Sequence, residues 1–312
     1  MSFGYQVLGF GGSGTAASTG NDNGIFGYGY TGPSNTTNLV SNVGVVGTDV
    51  TGVGTARGSL AATQYGGDKG IFGYGNFAGS AFLSMTNLVT NVGVVGTDVT
   101  GVGTGRQALA ACSYGTDKGI FAYGNRSPGV VGMSNLVSNV GVVGTDVTGV
   151  GTSREQLAAC EYGDDKAIFG YGFSAAVGYS ALSNLVSNAG VIATDTAGVG
   201  SVKKLLGSCS YGGDKGVFGY GYSDTSGSPA NVSMTNLVSN VGVIGTDVTG
   251  VGTVRREICA TEYGGDKGIF GYGHDNSAVT NITNLISNVG VSSTDVTGVG
   301  TARRALAACS YN

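Results

Sequence analysis

The chain is built from short apolar runs, none of which holds a helical period. Ile-Phe-Gly-Tyr-Gly begins at Ile25, Ile71, Ile168 and Ile269, with close variants from Ile120 and Val217. Such a run alternates, with Ile71 and Gly73 on one face and Phe72 and Tyr74 on the other, and this predicts a strand. A second run, Leu109 to Tyr114, sets Leu109, Ala111 and Ser113 against Ala110, Cys112 and Tyr114. Both of its faces are small or apolar, so this strand is expected to be buried on both sides. Between the two lies Tyr-Gly-Gly-Asp-Lys-Gly, a polar turn of hairpin type. Asn-Leu-Val-Ser-Asn-Val-Gly-Val-Val predicts a third strand, and the segment around Thr-Asp-Val-Thr-Gly-Val a fourth.

These runs recur together. Asp49, Asp98, Asp146, Asp195, Asp247 and Asp295 stand at spacings of 49, 48, 49, 52 and 48 residues. The Asn-Leu block starts at Asn38, Asn87, Asn135, Asn184, Asn236 and Asn284, and the small-residue run ends at Tyr65, Tyr114, Tyr162, Tyr211, Tyr263 and Tyr311. Four short strands per repeat, six times over, predict an all-β fold: a six-bladed β-propeller of four-stranded blades. The first repeat lacks its own small-residue strand and the last ends in one. Joining Tyr311-Asn312 to Asn21-Asp22-Asn23-Gly24 restores the turn spacing. Closure is therefore expected through the C-terminal strand pairing into the first blade, which leaves no open edge. Residues 1–20 read as a Gly-rich arm and residues 21–312 as the ring.

Composition narrows the function. Glycine (61 residues) and proline (3) make up about a fifth of the 312 positions, and 11% are charged, less than half of the usual share. With 41% hydrophobic residues the chain fits neither disorder nor collagen. No apolar run reaches membrane-span length, and Met1–Gly12 lacks the basic flank of a signal peptide. A net charge of −4 with scattered cations speaks against nucleic acid. No membrane insertion is expected.

The order R-x-x-L-A-A-x-x-Y, turn, I-F-G-Y-G, variable loop, N-L-V resembles the kelch repeat across Gly24 to Asn312. It departs from kelch in having Gly-Tyr-Gly for the double glycine and no tryptophan. The near-identical, low-charge repeats are also similar to propeller repeats of tailed-phage structural proteins, as is the start Met1-SFGYQVLGFGGSG. The regulator-of-chromosome-condensation repeat is similar in length and glycine content, but its propellers have seven blades. A kelch-type copper oxidase would imply two histidine ligands, and this chain has only His274. The kelch resemblance thus carries no activity over.

Candidate chemistry is sparse. No catalytic residues, metal or cofactor are expected. Four cysteines (Cys112, Cys160, Cys209, Cys309) precede the repeat tyrosine by two positions and Cys259 by four, an arrangement expected of buried free thiols. Eight residues after each repeated Asp stands a cation: Arg57, Arg106, Arg154, Lys203, Arg255 and Arg303. Each Asp is expected to cap a turn and each cation to tie it across the loop; a ring of six sugar or calcium sites is the alternative. The loop after I-F-G-Y-G absorbs nearly all the length variation and carries private side chains: Tyr30, Phe77, Phe82, Arg126, Phe173, Tyr179, Tyr222 and His274. A constant frame with varied loops suits binding. The expected role is a non-enzymatic phage virion protein that displays these loops toward a cell-surface glycan or receptor. Its arm would hold other virion proteins. A free multivalent lectin and a kelch-like interaction scaffold, extracellular or cytoplasmic, are the alternatives.

Overall fold

The fold follows from where each repeat places its small residues. A computed structural model describes residues 21–77, 81–224 and 227–312; the expected arm, residues 1–20, lies outside them. The described chain is all-β, with no helix and every strand pairing antiparallel. Six sheets share one plan, seen in Ala61–Tyr65, Lys69–Gly73 and Thr86–Val89. The Ile-Phe-Gly strand is central, flanked by the small-residue strand and the Asn-Leu-Val strand. The first sheet takes strands from both chain ends: Asn23–Tyr30 pairs with Pro33–Val40 on one side and with Ala307–Tyr311 on the other, Asn23 opposite Tyr311.

Three sequence expectations are corrected. The fourth strand is reduced to isolated bridges, such as Thr86 to Val99 and Val89 to Val95, because the intervening glycines and Asp98 bend away from the ladder. The third strand stops at Val40, Val89 and their equivalents; Ser41-Asn42-Val43-Gly44 is a turn in which Gly44 donates to the Ser41 carbonyl. This leaves Val43, Val92, Val140, Val241 and Val289 68–70% exposed. Phe72 and Tyr74 were expected on one face, yet Tyr74 shares a cluster with Ile71 while Phe72 packs with Ile25 and Tyr28 of the preceding sheet. The cause is local: Tyr74 has φ +64° and Gly75 φ +95°, a bulge that turns the ring to the other side. Tyr28, Tyr123, Tyr171, Tyr220 and Tyr272 share this left-handed conformation with Tyr74 (φ 62–66°), rare for a bulky residue.

The surroundings hold that bulge. Each tyrosine ring is fully buried against the next sheet's phenylalanine, from Tyr28 on Phe72 to Tyr272 on Phe26, with centroids 5.1–5.4 Å apart. A Cβ on Gly73 would lie 2.7 Å from the Phe121 ring, so the glycine before the tyrosine admits the neighbouring sheet. Six hydrophobic clusters result, each shared by successive sheets, the sixth joining Phe26 and Val40 of the first to Ile269 and Tyr272 of the last.

Two series of backbone hydrogen bonds link the sheets. At one end Ala108 donates to Ser59, Gln156 to Ala108, Leu205 to Gln156, Glu257 to Leu205, Ala305 to Glu257 and Ser59 to Ala305, all at 2.8–2.9 Å. At the other end the hairpin turns do likewise: Gly66 donates to Asp117, Gly115 to Asp165, Gly163 to Asp214 and Gly212 to Asp266. Gly264 then donates to Asp22, and Asn312 to Asp68. Asp22 and Asn312 thus take the place of one turn.

Candidate functional site

The repeated Asp and Arg positions form the frame. Each cation is fully buried. Arg57 lies 4.4 Å above the Tyr28 ring, its Nε donates to the Tyr74 carbonyl at 2.8 Å, one guanidinium nitrogen to Thr55 O and the other to Asn87 Oδ1 at 2.7 Å. Its carboxylate neighbour is Asp98, at 4.0 Å, and not Asp49. Arg154 likewise meets Asp195, Lys203 Asp247, Arg255 Asp295, and Arg303 Asp49. This corrects the expected tie between each Asp and the cation eight residues on. The glycines between them carry the chain into the next sheet, so the cation meets the Asp that ends that sheet. Arg106 stacks on Tyr74 at 4.3 Å, but Asn135 Oδ1 beside it has no partner.

The Asp carboxylates are occupied. Asp98 accepts Thr55 N (3.0 and 3.1 Å), Thr55 Oγ1 (2.7 Å) and Asn87 Nδ2 (2.9 Å), and Asp49, Asp146, Asp195, Asp247 and Asp295 accept from the same positions of their sheets. Burial alone would raise their pKa, but these hydrogen bonds outweigh it and hold each below the ordinary carboxylate value. Gly54 has φ +78°, and a Cβ there would stand 2.3 Å from Asp98 Oδ1, so no side chain fits beside the carboxylate. The five thiols are free and buried, and burial pushes all of them upward, away from the thiolate form. Among the described residues no group of three His, Cys, Asp or Glu is placed to hold a metal, and no helix is long and apolar enough to cross a membrane.

The variable side chains gather at the end opposite the hairpin turns. Each loop bridges the residue that follows a repeated cation: Tyr30 with Arg304, Asn76 with Gly58, Asn125 with Gln107, Phe173 with Glu155, Tyr222 with Lys204, His274 with Arg256. Within this end they separate. Phe173 and Tyr179 meet edge to face at 5.7 Å, and Tyr179 lies 6.3 Å from Tyr222. Lys204 Nζ sits 4.4 Å above Phe173 and 4.8 Å above Tyr179, and the Arg256 guanidinium 5.2 Å above Tyr222. Burial lowers the Lys204 ammonium and raises the Glu155 carboxyl beside it.

Tyr30 and His274 line an adjoining open cleft of about 660 Å³ with Asn76, Gln107 and Arg304. The Tyr30 ring lies on Gly58, where a Cβ would come within 2.2 Å, and its hydroxyl donates to the Asn76 carbonyl at 2.7 Å. Arg304 is bound to Glu257 at 3.1 Å. Among the described residues His274 Nδ1, Gln156 Oε1 and Asp224 Oδ1 are buried without hydrogen-bond partners. Phe77 and Phe82 are exposed on their own short hairpin, and Arg126 Nε donates to the Ser127 carbonyl at 3.4 Å.

Lys204, Arg256, Arg304 and Glu155 were not picked out from the sequence. Their signal was nonetheless there: the residue after each repeated cation is Gly58, Gln107, Glu155, Lys204, Arg256 or Arg304, a varied position beside a constant one. Compared with known proteins, the chain matches no family model and no curated protein sequence.

Proposed function

We propose that the chain is a six-bladed β-propeller and a non-enzymatic attachment module that binds through its variable-loop end. The cyclic hydrogen bonds at both ends and the sixth cluster joining first and last sheets support the ring. A solution-scattering profile of a flat disc with an axial hole is expected; a rod would overturn it.

The observation that carries the binding role is the gathering of Phe173, Tyr179 and Tyr222 with Lys204 and Arg256 into one aromatic and cationic surface beside the Tyr30–His274 cleft. Aromatic faces with adjacent charged and amide groups suit a cell-surface saccharide, which offers apolar ring faces and hydroxyls at once. The repeated Asp residues do not favour a six-site lectin, because their oxygens are already hydrogen-bonded. As a virion component the module would dock to its particle through residues 1–20 and to the cell through this surface. Glycan-array and whole-cell binding of the full chain tests the role: Tyr179→Ala and Tyr222→Ala should abolish a signal that Phe82→Ser retains. Equal binding by all three variants would overturn the assigned surface. Unchanged particle incorporation after deletion of residues 1–20 would overturn the docking role.

A further inference from the structure

The axis differs in polarity from end to end. Toward the variable loops it is lined by Leu60, Leu109, Leu157, Leu206, Ile258 and Leu306. Toward the hairpin turns the residue before each repeat tyrosine faces inward, giving a collar of Gln64, Ser113, Glu161, Ser210, Glu262 and Ser310 around connected cavities. The outer cavity has a volume of about 120 Å³, room for several waters at roughly 30 Å³ each.

Half of this collar is internally satisfied. Gln64 Nε2 donates to Ser113 Oγ at 3.0 Å and to Glu161 Oε2 at 3.1 Å, and its Oε1 accepts from Asn21 at 2.7 Å and Ser310 at 2.9 Å. All four bonding places of that amide are therefore used. Ser113 Oγ also donates to Glu161 Oε2, at 2.6 Å. The other half keeps a single donor, the Ser210 hydroxyl. Glu262 is 7% exposed and lines the cavity, and among the described residues no hydrogen bond reaches either of its oxygens, Glu161 Oε1 or Ser210 Oγ.

No cation compensates. The charges that act on the pair are carboxylates, Asp164 and Asp165 on Glu161, and Glu161 and Asp266 on Glu262. Lys215 lines the cavity, but its ammonium is held by Asp214. Burial, with these neighbours, pushes Glu161 up to about 7 and Glu262 well above the ordinary value. A buried carboxylate with neither donor nor counter-charge, beside a second that keeps one oxygen unpaired, is costly unless protonated or neutralised by an ion.

We propose that this half of the collar binds a hard divalent cation, calcium in the first instance, through the carboxylates of Glu161 and Glu262 and the Ser210 hydroxyl, with water completing the shell. Oxygen donors of this kind suit calcium, which tolerates irregular coordination and retained water better than magnesium does. Two protein carboxylates are few, so half-saturation is expected on the order of 10⁻⁴–10⁻³ M, the range of weak sites. The site departs from the expectation that the chain holds no metal, and does not depend on the binding role of the opposite end.

The test uses the full chain stripped with chelator. Calcium chloride should raise its melting temperature and quench tyrosine-sensitised terbium emission; Tyr162 lines the cavity and the chain has no tryptophan. Glu262→Gln and Glu161→Gln should each abolish both responses and melt higher than the metal-free parent at pH 8. Asp275→Asn, at the far end, should change neither response. If one glutamine variant fails to fold, the other carries the test, with Ser210→Ala weakening terbium binding severalfold. A melting temperature indifferent to calcium, or terbium emission that persists in both glutamine variants, would overturn the site.

Discussion

The two ends of the molecule are made from the same six repeats and follow opposite rules. At the hairpin-turn end the outer groups recur with little change: an Asp-Lys turn in five of the six sheets, a Ser-Asn-Val-Gly turn with Thr90 and Ala189 as its departures, and a link through a turn amide. At the other end the backbone links are equally regular, yet the side chains standing on them differ in every sheet. The frame is therefore held by backbone and by buried groups, from Tyr28 with Arg57 around to Tyr272 with Arg303, and variation is confined to positions that carry no part of it. A frame held in this way accepts Gly58, Lys204 or Arg256 at one equivalent position without altering its links.

The sharpest way to break the comparison is to attack the frame. Phe121→Ala should cost about 3–5 kcal/mol, since the ring is fully buried against Tyr74 and its loss leaves a cavity. Arg57→Ala should cost a similar ~3–5 kcal/mol, because Asn87 Oδ1 and the Tyr74 carbonyl lose their buried donor. Arg106→Ala should cost less, since Asn135 Oδ1 is already without a partner. Denaturant midpoints at fixed pH rank the three. If Arg57→Ala proved as mild as a surface substitution, the frame would not rest on these cations.

Tyr222→Ala at the other end should lower ligand affinity about tenfold or more, ~1.4 kcal/mol, and leave the denaturant midpoint nearly unchanged. A large stability loss would place Tyr222 in the frame. Lys203→Arg should stabilise by about 1 kcal/mol, since Lys203 offers Asn236 and Asp247 one ammonium where five sheets have a guanidinium. Burial lowers Lys203 to about 8, only partly offset by Asp247. The unfolded chain therefore binds more protons between pH 8 and the ordinary lysine range, so this lysine makes stability rise with pH there. The arginine variant should lose that rise.

The carboxylates act in two other pH windows. Asp98 and its five equivalents have lowered pKa values, so their stabilisation is present above the ordinary carboxylate range and lost as pH falls through the folded values. Glu161, raised to about 7, acts in reverse: its folded form is favoured at low pH and loses stability as pH rises through 7. Without added cation the melting temperature should fall between pH 5 and 8, and Glu161→Gln should flatten that fall. The smallest effect is reserved for Arg126→Ala, whose stability change should stay within ~0.5 kcal/mol.

The sequence by itself determined the repeat, two of the four strands in each repeat and the start of a third, the pairing of the C-terminal strand with the first, and which loops vary, because each is a matter of period and local pattern. Ile71, Phe72 and the turn at Asp68 are legible in one repeat read alone. Tertiary structure decided what depends on the next repeat. Alternation puts Tyr74 beside Phe72, and only contact with Phe121 and Arg106 explains a bulge that turns it away. Proximity along the chain ties Arg57 to Asp49, and only the glycine crossover hands it to Asp98. Glu161 and Glu262 look like unremarkable polar positions in two separate strands. They come to line one cavity because the small-residue strands of successive sheets pack side by side, and that arrangement exists only in three dimensions.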